Sequence, residues 1–282
     1  MPHATLTASQ FADFSGVIAS NLGIKMPPAK QVMLQSRLHR RLRELGLESF
    51  DDYHARFFGD PAYQRDELEQ LLNLATTNKT DFFREPDHFA ILTDQVLPAW
   101  LGVHRPGPFQ VWCAGCSTGE EAYTIAMVLA AQCAEAAFDF RIRATDVSTR
   151  VLHTAMQAVY PEAHAAPIPL HLRQRYLLRS RDPALGQVRI APEIRERVRF
   201  GHLNFLAADY GIPDLADVVF FRNVMIYFDR PTQQEVVGKI CRHLRPGGDL
   251  FIAHSETLQG LDLPLRLVGA AHYRHEPRGN GG

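Results

Sequence analysis

The spacing of apolar residues divides the chain into a helical first part and a second part in which short apolar runs alternate with helices. Four leucines of the first part recur at helical spacing: Leu34, Leu38, Leu42 and Leu45. They predict one apolar helix face, and Gly46 is placed to end that helix. Residues 62–75 repeat the pattern, so the first hundred residues are expected to be helical.

From Phe109 onwards the pattern changes to strands and helices in alternation. The predicted strands are Phe109–Cys113, Phe140–Thr145, Val218–Phe221 and Leu250–Ala253, with one or two more between Leu265 and His275. The predicted helices are Glu120–Ala134, Ser148–Val159 and Thr232–Leu244, with Ser148 as an N-cap and Pro246-Gly247-Gly248 as a turn. This alternation predicts a parallel sheet with helices on both faces, an α/β fold.

Proline and glycine suggest where the domains divide. Pro106-Gly107-Pro108 marks a boundary near residues 100–108, which gives an N-terminal helical domain with its linker at 1–100 and a second domain at 101–282. Residues 160–198, rich in proline and arginine, interrupt the alternation.

Composition narrows the classes of protein that remain. The chain has 282 residues, is 46% hydrophobic and carries a formal net charge of -1, which favours neither nucleic acid nor a membrane surface as a partner. Its four cysteines fit no disulfide framework, which indicates a reducing compartment. No signal-peptide pattern or bilayer-spanning apolar run is found, so a cytoplasmic location is expected.

The turn after the first predicted strand is the first candidate for ligand binding. Residues Ala114–Gly119 lead into a helix that opens with Glu120 and Glu121, and ligands bind at this edge of such sheets. The turn has no lysine to meet a phosphate, and the two glutamates suit a cationic or zwitterionic ligand. Asp146, at the end of the second strand, can accept hydrogen bonds from ribose hydroxyls or cap the next helix. The combination favours a nucleoside such as S-adenosylmethionine over NAD.

Metal and redox chemistry are not expected. Cys113 and Cys116 form a C-x-x-C pair, but no second pair exists and Cys113 lies in a predicted buried strand. Both are interpreted as small core residues. The thirteen histidines do not cluster at metal-ligand spacing along the chain.

Six segments carry a distinctive set of motifs. They are Asn78–Glu85 (NKTDFFRE), Gly115–Tyr123 (GCSTGEEAY), Ala144–Asp146 (ATD), Asn204–Leu206 (NFL), Phe221–Phe228 (FRNVMIYF) and Leu244–Gly248 (LRPGG) with His254–Glu256 (HSE). Together they resemble the chemotaxis receptor glutamate methyltransferases, the CheR family.

The resemblance implies a class I S-adenosylmethionine-dependent methyltransferase, a Rossmann-like α/β sheet with an N-terminal all-helical domain and a small antiparallel β-subdomain inserted at about 160–198. It implies S-adenosylmethionine as cofactor and S-adenosylhomocysteine as product. The implied cofactor-binding residues are Asn78, Thr80, Arg84, Glu120, Glu121, Asp146, Asn204, Phe205, Arg222 and Asn223. Asp146 would take the ribose. One of Glu120 and Glu121, with Glu121 favoured, would take the methionine or ribose portion.

The resemblance further implies methyl transfer to glutamate carboxylates of methyl-accepting chemotaxis receptors. A glutamate is ionised at neutral pH, since its reference pKa is about 4.3, so no general base is required. Arg84 and Tyr227 are the candidate catalytic residues, Arg84 to orient the carboxylate and Tyr227 beside the transferring methyl group. Alternatively, Arg84 forms a helix-terminal salt bridge and Tyr227 is an ordinary half-buried residue.

Two surfaces are candidates for receptor binding. Lys30, Arg37, Arg40 and Arg41 fall on one flank of the leucine stripe and could dock acidic receptor helices, or could form a plain solvated face. The hairpin expected at Tyr176–Val188 could capture a receptor C-terminal peptide by strand addition. The partner is the cytoplasmic domain of the receptors, and a monomer is expected.

Two other functions remain as alternatives. One is a methyltransferase of the same fold acting on nucleic acid or another substrate, which the near-neutral charge and the missing Asn-Pro-Pro-Tyr motif disfavour. The other is a non-catalytic module that senses S-adenosylmethionine or scaffolds a receptor array. The set of polar motif residues argues against the second.

Overall fold

A computed structural model describes residues 5–103 and 106–277 of the chain. By its internal contacts the chain divides into two compact units, Met1–Thr77 with Tyr227–Asp229, and Asn78–Ile226 with Arg230–Gly282. The segment 78–100, which the sequence analysis assigns to the first domain and its linker, makes its contacts in the second unit. Residues 104 and 105 of the predicted boundary lie outside the described residues.

Four helices build the first unit. They are α1 (Ala8–Leu22), α2 (Gln31–Leu45), α3 (Phe50–Gly59) and α4 (Pro61–Ala75), with a 3-10 turn at Pro28–Lys30 before α2. The predicted stop at Gly46 is confirmed, since this residue ends α2 with a φ of 67°. Leu34, Leu38 and Leu42 are buried, as the helical spacing predicts.

A mixed seven-stranded sheet forms the centre of the second unit. Its helices are α5 (Asp87–Ile91), α6 (Leu97–Leu101), α7 (Glu120–Ala136), α8 (Thr149–Gln157), α9 (Leu170–Tyr176), α10 (Pro192–Arg195) and α11 (Arg230–Arg242). Its strands are β1 (Phe109–Ala114), β2 (Phe140–Asp146), β3 (Val159–Pro161), β4 (Leu177–Arg179), β5 (Gln187–Ile190), β6 (Val198–His202), β7 (Ala216–Phe220), β8 (Leu244–Phe251), β9 (Leu265–Gly269) and β10 (His272–His275).

The order of strands in the large sheet is β6-β2-β1-β7-β8-β10-β9. Strands β6, β2, β1, β7 and β8 run parallel, and β10 and β9 are antiparallel to their neighbours. The predicted parallel sheet is therefore confirmed. The parallel strands are largely buried: every residue of β7 and all of β1 except Gln110 is buried. Such strands end at one edge of the sheet, which sets the place for a ligand.

Two elements differ from the sequence-based expectation. Strand β6 was not predicted, although it pairs with β2 from Ile142–Val198 to Asp146–His202. Pro246-Gly247-Gly248, predicted as a turn, lies inside β8, where the register against β7 shifts. The three residues form a bulge within the strand, and the hydrogen-bonded pairing resumes at Asp249.

A small antiparallel sheet lies where the insertion was predicted. Its strand order is β3-β5-β4, and β4 and β5 pair from Leu177–Ile190 to Arg179–Val188. These two strands confirm the hairpin expected at Tyr176–Val188. Strand β4 lies at one edge of the sheet, and the Leu178 side chain on it is 50% exposed.

We expect Gly115→Ala to lower the free energy of unfolding by about 2–5 kcal/mol, since it adds backbone strain and a steric clash. Gly115 has a φ of +85°, and a Cβ there would lie 2.4 Å from Val224 Cγ2. Gly107 has a similar φ of +92° with no atom within 4 Å of its Cβ position, so Gly107→Ala is the control for strain alone. Urea unfolding measures the stability of both variants. An equal loss of unfolding free energy in the two would contradict the predicted clash with Val224.

Candidate active site

The loops that follow β1, β2, β6 and β7 meet at the carboxyl edge of the large sheet. The amides of Gly115 and Cys116 donate to the Thr145 carbonyl at 2.8 and 2.9 Å, which joins the first two loops. The amide of Leu203 donates to the Asp146 carbonyl at 2.9 Å. These contacts bring the loops after β1, β2 and β6 together, and the loop after β7 joins them through Arg222 and Phe221.

The Asp146 carboxylate connects the loops after β1 and β2. Its Oδ2 accepts a hydrogen bond from the Ser117 amide at 2.8 Å, and its Oδ1 accepts one from the Ser148 amide at 2.9 Å. Burial raises the pKa of Asp146, while these amides act in the opposite direction. Ser148 is the N-cap of α8, as predicted, because its side chain accepts from the Val151 amide. Asp146 is not that cap.

Ser117 and Thr118 hold the turn that was predicted to bind a ligand. The Ser117 hydroxyl donates to the Asn78 carbonyl at 2.9 Å, which attaches the segment beginning at Asn78 to this turn. The Thr118 hydroxyl donates to Glu120 Oε2 at 2.6 Å. Glu120 is 4% exposed, and burial raises its pKa.

The Arg222 guanidinium lies between two carboxylates. Its Nη1 is 2.9 Å from Glu121 Oε2, and its Nη2 is 3.2 Å from Glu85 Oε2. Nη2 also donates to the Arg84 carbonyl, and the guanidinium carbon lies 5.6 Å from the centre of the Phe89 ring. The Arg222 side chain is 1% exposed. One buried cation thus joins the end of β7, the start of α7 and the segment around Arg84.

Several non-glycine residues of these loops have a positive φ. They are Phe83 (55°), Glu85 (54°), Ser117 (49°) and Asn223 (60°). This conformation is unfavourable for residues with a side chain and persists where the surroundings impose it. Phe83 and Glu85 flank Arg84, so the backbone that carries this arginine is held in a strained form.

Glu256 fixes the loop that carries Asn223. Its Oε2 accepts hydrogen bonds from the Asn223 amide at 3.1 Å and from the Ala253 amide at 2.9 Å. Burial raises the pKa of Glu256. Glu256 belongs to the His-Ser-Glu motif and Glu85 to the Asn78–Glu85 motif, but the sequence predicted no role for either residue.

The remaining predicted cofactor residues lie in the same unit. Asn204 Oδ1 accepts from the Leu206 amide at 2.9 Å, which forms a turn after β6. The Phe205 ring is buried, with its centre 5.1 Å from that of Phe221. Thr80 and Arg84 are half-buried, and Arg84 Nη1 donates to the Lys79 carbonyl at 3.2 Å.

Tyr227 groups with the first unit. Its hydroxyl donates to the Thr77 carbonyl at 3.1 Å, and Lys30 Nζ lies 5.5 Å from the centre of its ring. Tyr227 is half-buried. A role for it beside the transferring methyl group stays a prediction.

All four predicted docking cations contact groups of their own unit, and Lys30 Nζ donates to the Lys25 carbonyl at 3.2 Å. Arg37 Nη1 donates to the Leu74 carbonyl at 2.7 Å and to the Thr76 carbonyl at 2.9 Å, at the end of α4. Arg41 pairs with Glu67 at 2.7 Å. Arg40, paired with Glu44, keeps 65% of its side chain exposed.

The side chains of Cys113 and Cys116 belong to the hydrophobic core of the second unit. Cys113 and Cys116 are free and buried, and burial raises the pKa of each thiol well above its usual value. The core-packing interpretation is consistent with these surroundings. Two histidines come close to other possible ligand groups. The fold brings His88 and His254 together with Glu85, although their spacing in the sequence does not indicate this.

The fold and this site define a class of protein, the S-adenosylmethionine-binding methyltransferases. Residues 78–274 match the family model described as "CheR methyltransferase, SAM binding domain", and residues 9–76 match "CheR methyltransferase, all-alpha domain". The chain therefore belongs to the CheR methyltransferase family. The class I fold with an all-helical N-terminal domain and an inserted β-subdomain is confirmed, as is S-adenosylmethionine as the cofactor.

Curated relatives match over most of their length. The chemotaxis protein methyltransferase of Klebsiella aerogenes is 38% identical over 268 residues, covering 95% of this chain and 90% of the relative. Chemotaxis protein methyltransferase 2 of Pseudomonas aeruginosa is 40% identical over 253 residues, with coverages of 89% and 87%. The Escherichia coli chemotaxis protein methyltransferase is 37% identical, with coverages of 95% and 91%. Within the described residues, no helix has the length and apolar character to cross a bilayer.

The site suits this cofactor in charge and in hydrogen bonding. Carboxylates of its loops include Glu85, Glu120, Glu121 and Asp146, of which Arg222 pairs with Glu85 and Glu121. Such a set suits a ligand that carries a sulfonium and an ammonium against one carboxylate. Each Asp146 oxygen accepts from one amide, of Ser148 or Ser117, and the Val147 amide is a third donor, so the carboxylate keeps about one acceptor position for a ribose hydroxyl.

We expect Arg222→Ala to lower the free energy of unfolding by about 3–5 kcal/mol, because it leaves Glu85 and Glu121 half-buried without their cation. Arg266→Ala is the control, since Arg266 pairs with Glu276 at an exposed position and its loss should cost no more than about 1 kcal/mol. Urea denaturation measures both, and a similar small loss would show that the Arg222 pairs carry little energy.

Proposed function

We propose that this methyltransferase transfers the methyl group of S-adenosylmethionine to glutamate side chains of chemotaxis receptors, forming glutamate methyl esters and S-adenosylhomocysteine. The relatives are chemotaxis protein methyltransferases, which supports a role in chemotaxis. The observation that carries the proposal is the different state of two arginines. Arg222 is fixed by two carboxylates, whereas among the described residues no carboxylate pairs with Arg84.

Arg84 is therefore the cation of the site that can receive an acidic side chain. Its guanidinium is half-buried, and the positive φ values of Phe83 and Glu85 fix the backbone on both sides of it. A planar guanidinium can hold both oxygens of a carboxylate. The proposed role of Arg84 is to place the substrate glutamate, with one oxygen left to act as nucleophile.

The chemistry needs positioning more than proton transfer. When bound, the cofactor supplies a methyl group activated by a sulfonium, with a thioether as leaving group. A carboxylate ionised at neutral pH needs no base to remove a proton. The chain must then desolvate the carboxylate and align it for in-line attack.

The cofactor residues are proposed as a set. Asp146 would accept the ribose hydroxyls, and Phe205 would flank the adenine from the loop after β6. Asn78, Thr80, Asn204 and Asn223 would complete the pocket. Glu120 and Glu121 both remain candidates for the methionine or ribose portion. Glu121 is favoured by the resemblance, but one of its oxygens already pairs with Arg222.

Receptor contact is proposed on two separate surfaces. On the first unit, Arg40 keeps 65% of its side chain exposed, whereas Lys30, Arg37 and Arg41 are each half-buried. Electrostatic attraction of acidic receptor helices would therefore depend mainly on Arg40. On the insertion, the edge of β4 offers unpaired backbone groups to a receptor C-terminal peptide.

We expect Asp146→Asn to raise the dissociation constant for S-adenosylmethionine roughly tenfold or more, because it removes a charged acceptor for the ribose. Isothermal titration calorimetry measures the affinity. Asp182→Asn is the matched control, since Asp182 is exposed in the insertion and only caps a 3-10 turn. Equal affinity of the Asp146 variant and the control would remove Asp146 from the ribose site.

A labelling experiment tests the reaction itself. The full chain is incubated with methyl-labelled S-adenosylmethionine, a receptor cytoplasmic fragment and nucleic acid, and the products are then exposed to mild base. We expect label on the receptor fragment that mild base releases, since methyl esters hydrolyse under conditions that leave N-methyl and C-methyl groups intact. Base-stable label, label on nucleic acid or no label would each reject the proposal.

In the same assay Arg84→Ala should reduce the rate of receptor methylation at least tenfold, because the substrate carboxylate loses its partner. Arg141→Ala, at an exposed position of β2, should leave the rate unchanged. A wild-type rate for Arg84→Ala would exclude the role given to this arginine.

A further inference from the structure

A second cluster of polar side chains lies beside the site. Glu85, His88 and His254 bring one carboxylate oxygen and two imidazole nitrogens within 4.8 Å of one another. Glu85 and His88 lie around the start of α5, and His254 follows the end of β8. The Glu85 carboxylate accepts a hydrogen bond from the His254 amide at 3.3 Å, so the two segments are already joined.

His88 is the unusual member of this cluster. Its side chain is 0% exposed, and among the described residues its only polar neighbour from the backbone is Ala270, at a geometry too poor for a full hydrogen bond to either ring nitrogen. Nδ1 lies 3.7 Å from Glu85 Oε2, beyond hydrogen-bond distance. Buried polar atoms nearly always have a partner in native proteins. A fully buried imidazole with no well-formed hydrogen bond, beside a carboxylate and a second imidazole, is therefore a candidate ligand for a cation.

We propose that Glu85, His88 and His254 bind one divalent transition-metal ion of the zinc type. Two imidazole nitrogens and one carboxylate oxygen are a donor set that suits zinc, with the fourth position left to water. Magnesium and calcium prefer sites built from oxygen alone, so they fit these three side chains poorly.

The geometry requires a small closure of the cluster. Two ligands of a tetrahedral zinc ion lie about 3.3 Å apart, as follows from bonds of about 2.0–2.1 Å. The Glu85 and His88 atoms nearly meet this separation at 3.7 Å. The His254 side chain would have to move closer to the other two ligands. It is exposed, and its ring centre lies 4.6 Å from that of His88.

The protonation state of His88 is compatible with a metal. Burial, with the neighbouring charges of Arg222 and His254, lowers the pKa of His88 to about 4, so the imidazole is neutral at pH 7 and can donate its lone pair. Arg222 also lies 3.2 Å from the Glu85 carboxylate, and its charge opposes a cation there. The ion would consequently be held less tightly than in a structural zinc site of four ligands.

Cobalt binding tests the proposal without using methyl transfer. The full chain, free of any polyhistidine tag, is treated with chelator and titrated with Co²⁺, followed by visible absorption and by metal analysis after dialysis. We expect one ion per chain with the strong d–d absorption of a four-coordinate site. His254→Gln should weaken binding at least tenfold, because one of three ligands is lost.

His153→Gln is the matched control, since His153 is an exposed histidine on α8 outside the cluster, and its affinity should equal that of the wild type. His88→Asn gives a second loss of a ligand; should it fail to fold, His254→Gln carries the test alone. No stoichiometric binding, unchanged binding by His254→Gln, or a thiolate-to-cobalt charge-transfer band that assigns the ion to Cys133 would each overturn the proposal.

Discussion

A single buried cation organises the site of this methyltransferase. Arg222 follows the end of β7. Its guanidinium forms ion pairs with Glu121 at the start of α7 and with Glu85, the residue after Arg84. A charge taken out of water is tolerable only with partners, so the three segments must come together for any of them to be stable. The strained backbone at Phe83 and Glu85 is held by the same arrangement, because Arg222 also binds the Arg84 carbonyl.

Much of the fold could be predicted because its determinants are local. Apolar spacing at Leu34, Leu38 and Leu42 predicts a buried helix face, and Gly46 and Ser148 end or begin helices through interactions within a few residues. Residues of the candidate site could also be predicted where they directly follow a strand. Asp146 is the example, since the end of a parallel strand fixes its position whatever its side chain binds.

The parts that escaped prediction depend on contacts between distant residues. Arg37 and Arg41 lie on one flank of α2. The end of α4 supplies backbone carbonyls to Arg37, and Glu67 of α4 pairs with Arg41. A helical wheel of α2 cannot show these partners. Strand β6 has only its first residue buried and contains Gly201, so it lacks an apolar signal of its own. His88 and His254 meet only because α5 and the end of β8 are neighbours in the fold.

The burial of Cys113 and Cys116 affects whether these thiols could be methylated by the cofactor. A sulfonium methyl donor alkylates sulfur more readily than carboxylate oxygen, provided that the sulfur is ionised and accessible. Cys113 and Cys116 lie in and beside the turn after β1, but burial keeps both protonated and enclosed. With S-adenosylmethionine bound at the turn after β1, as proposed, neither thiol would compete with the substrate carboxylate for the methyl group.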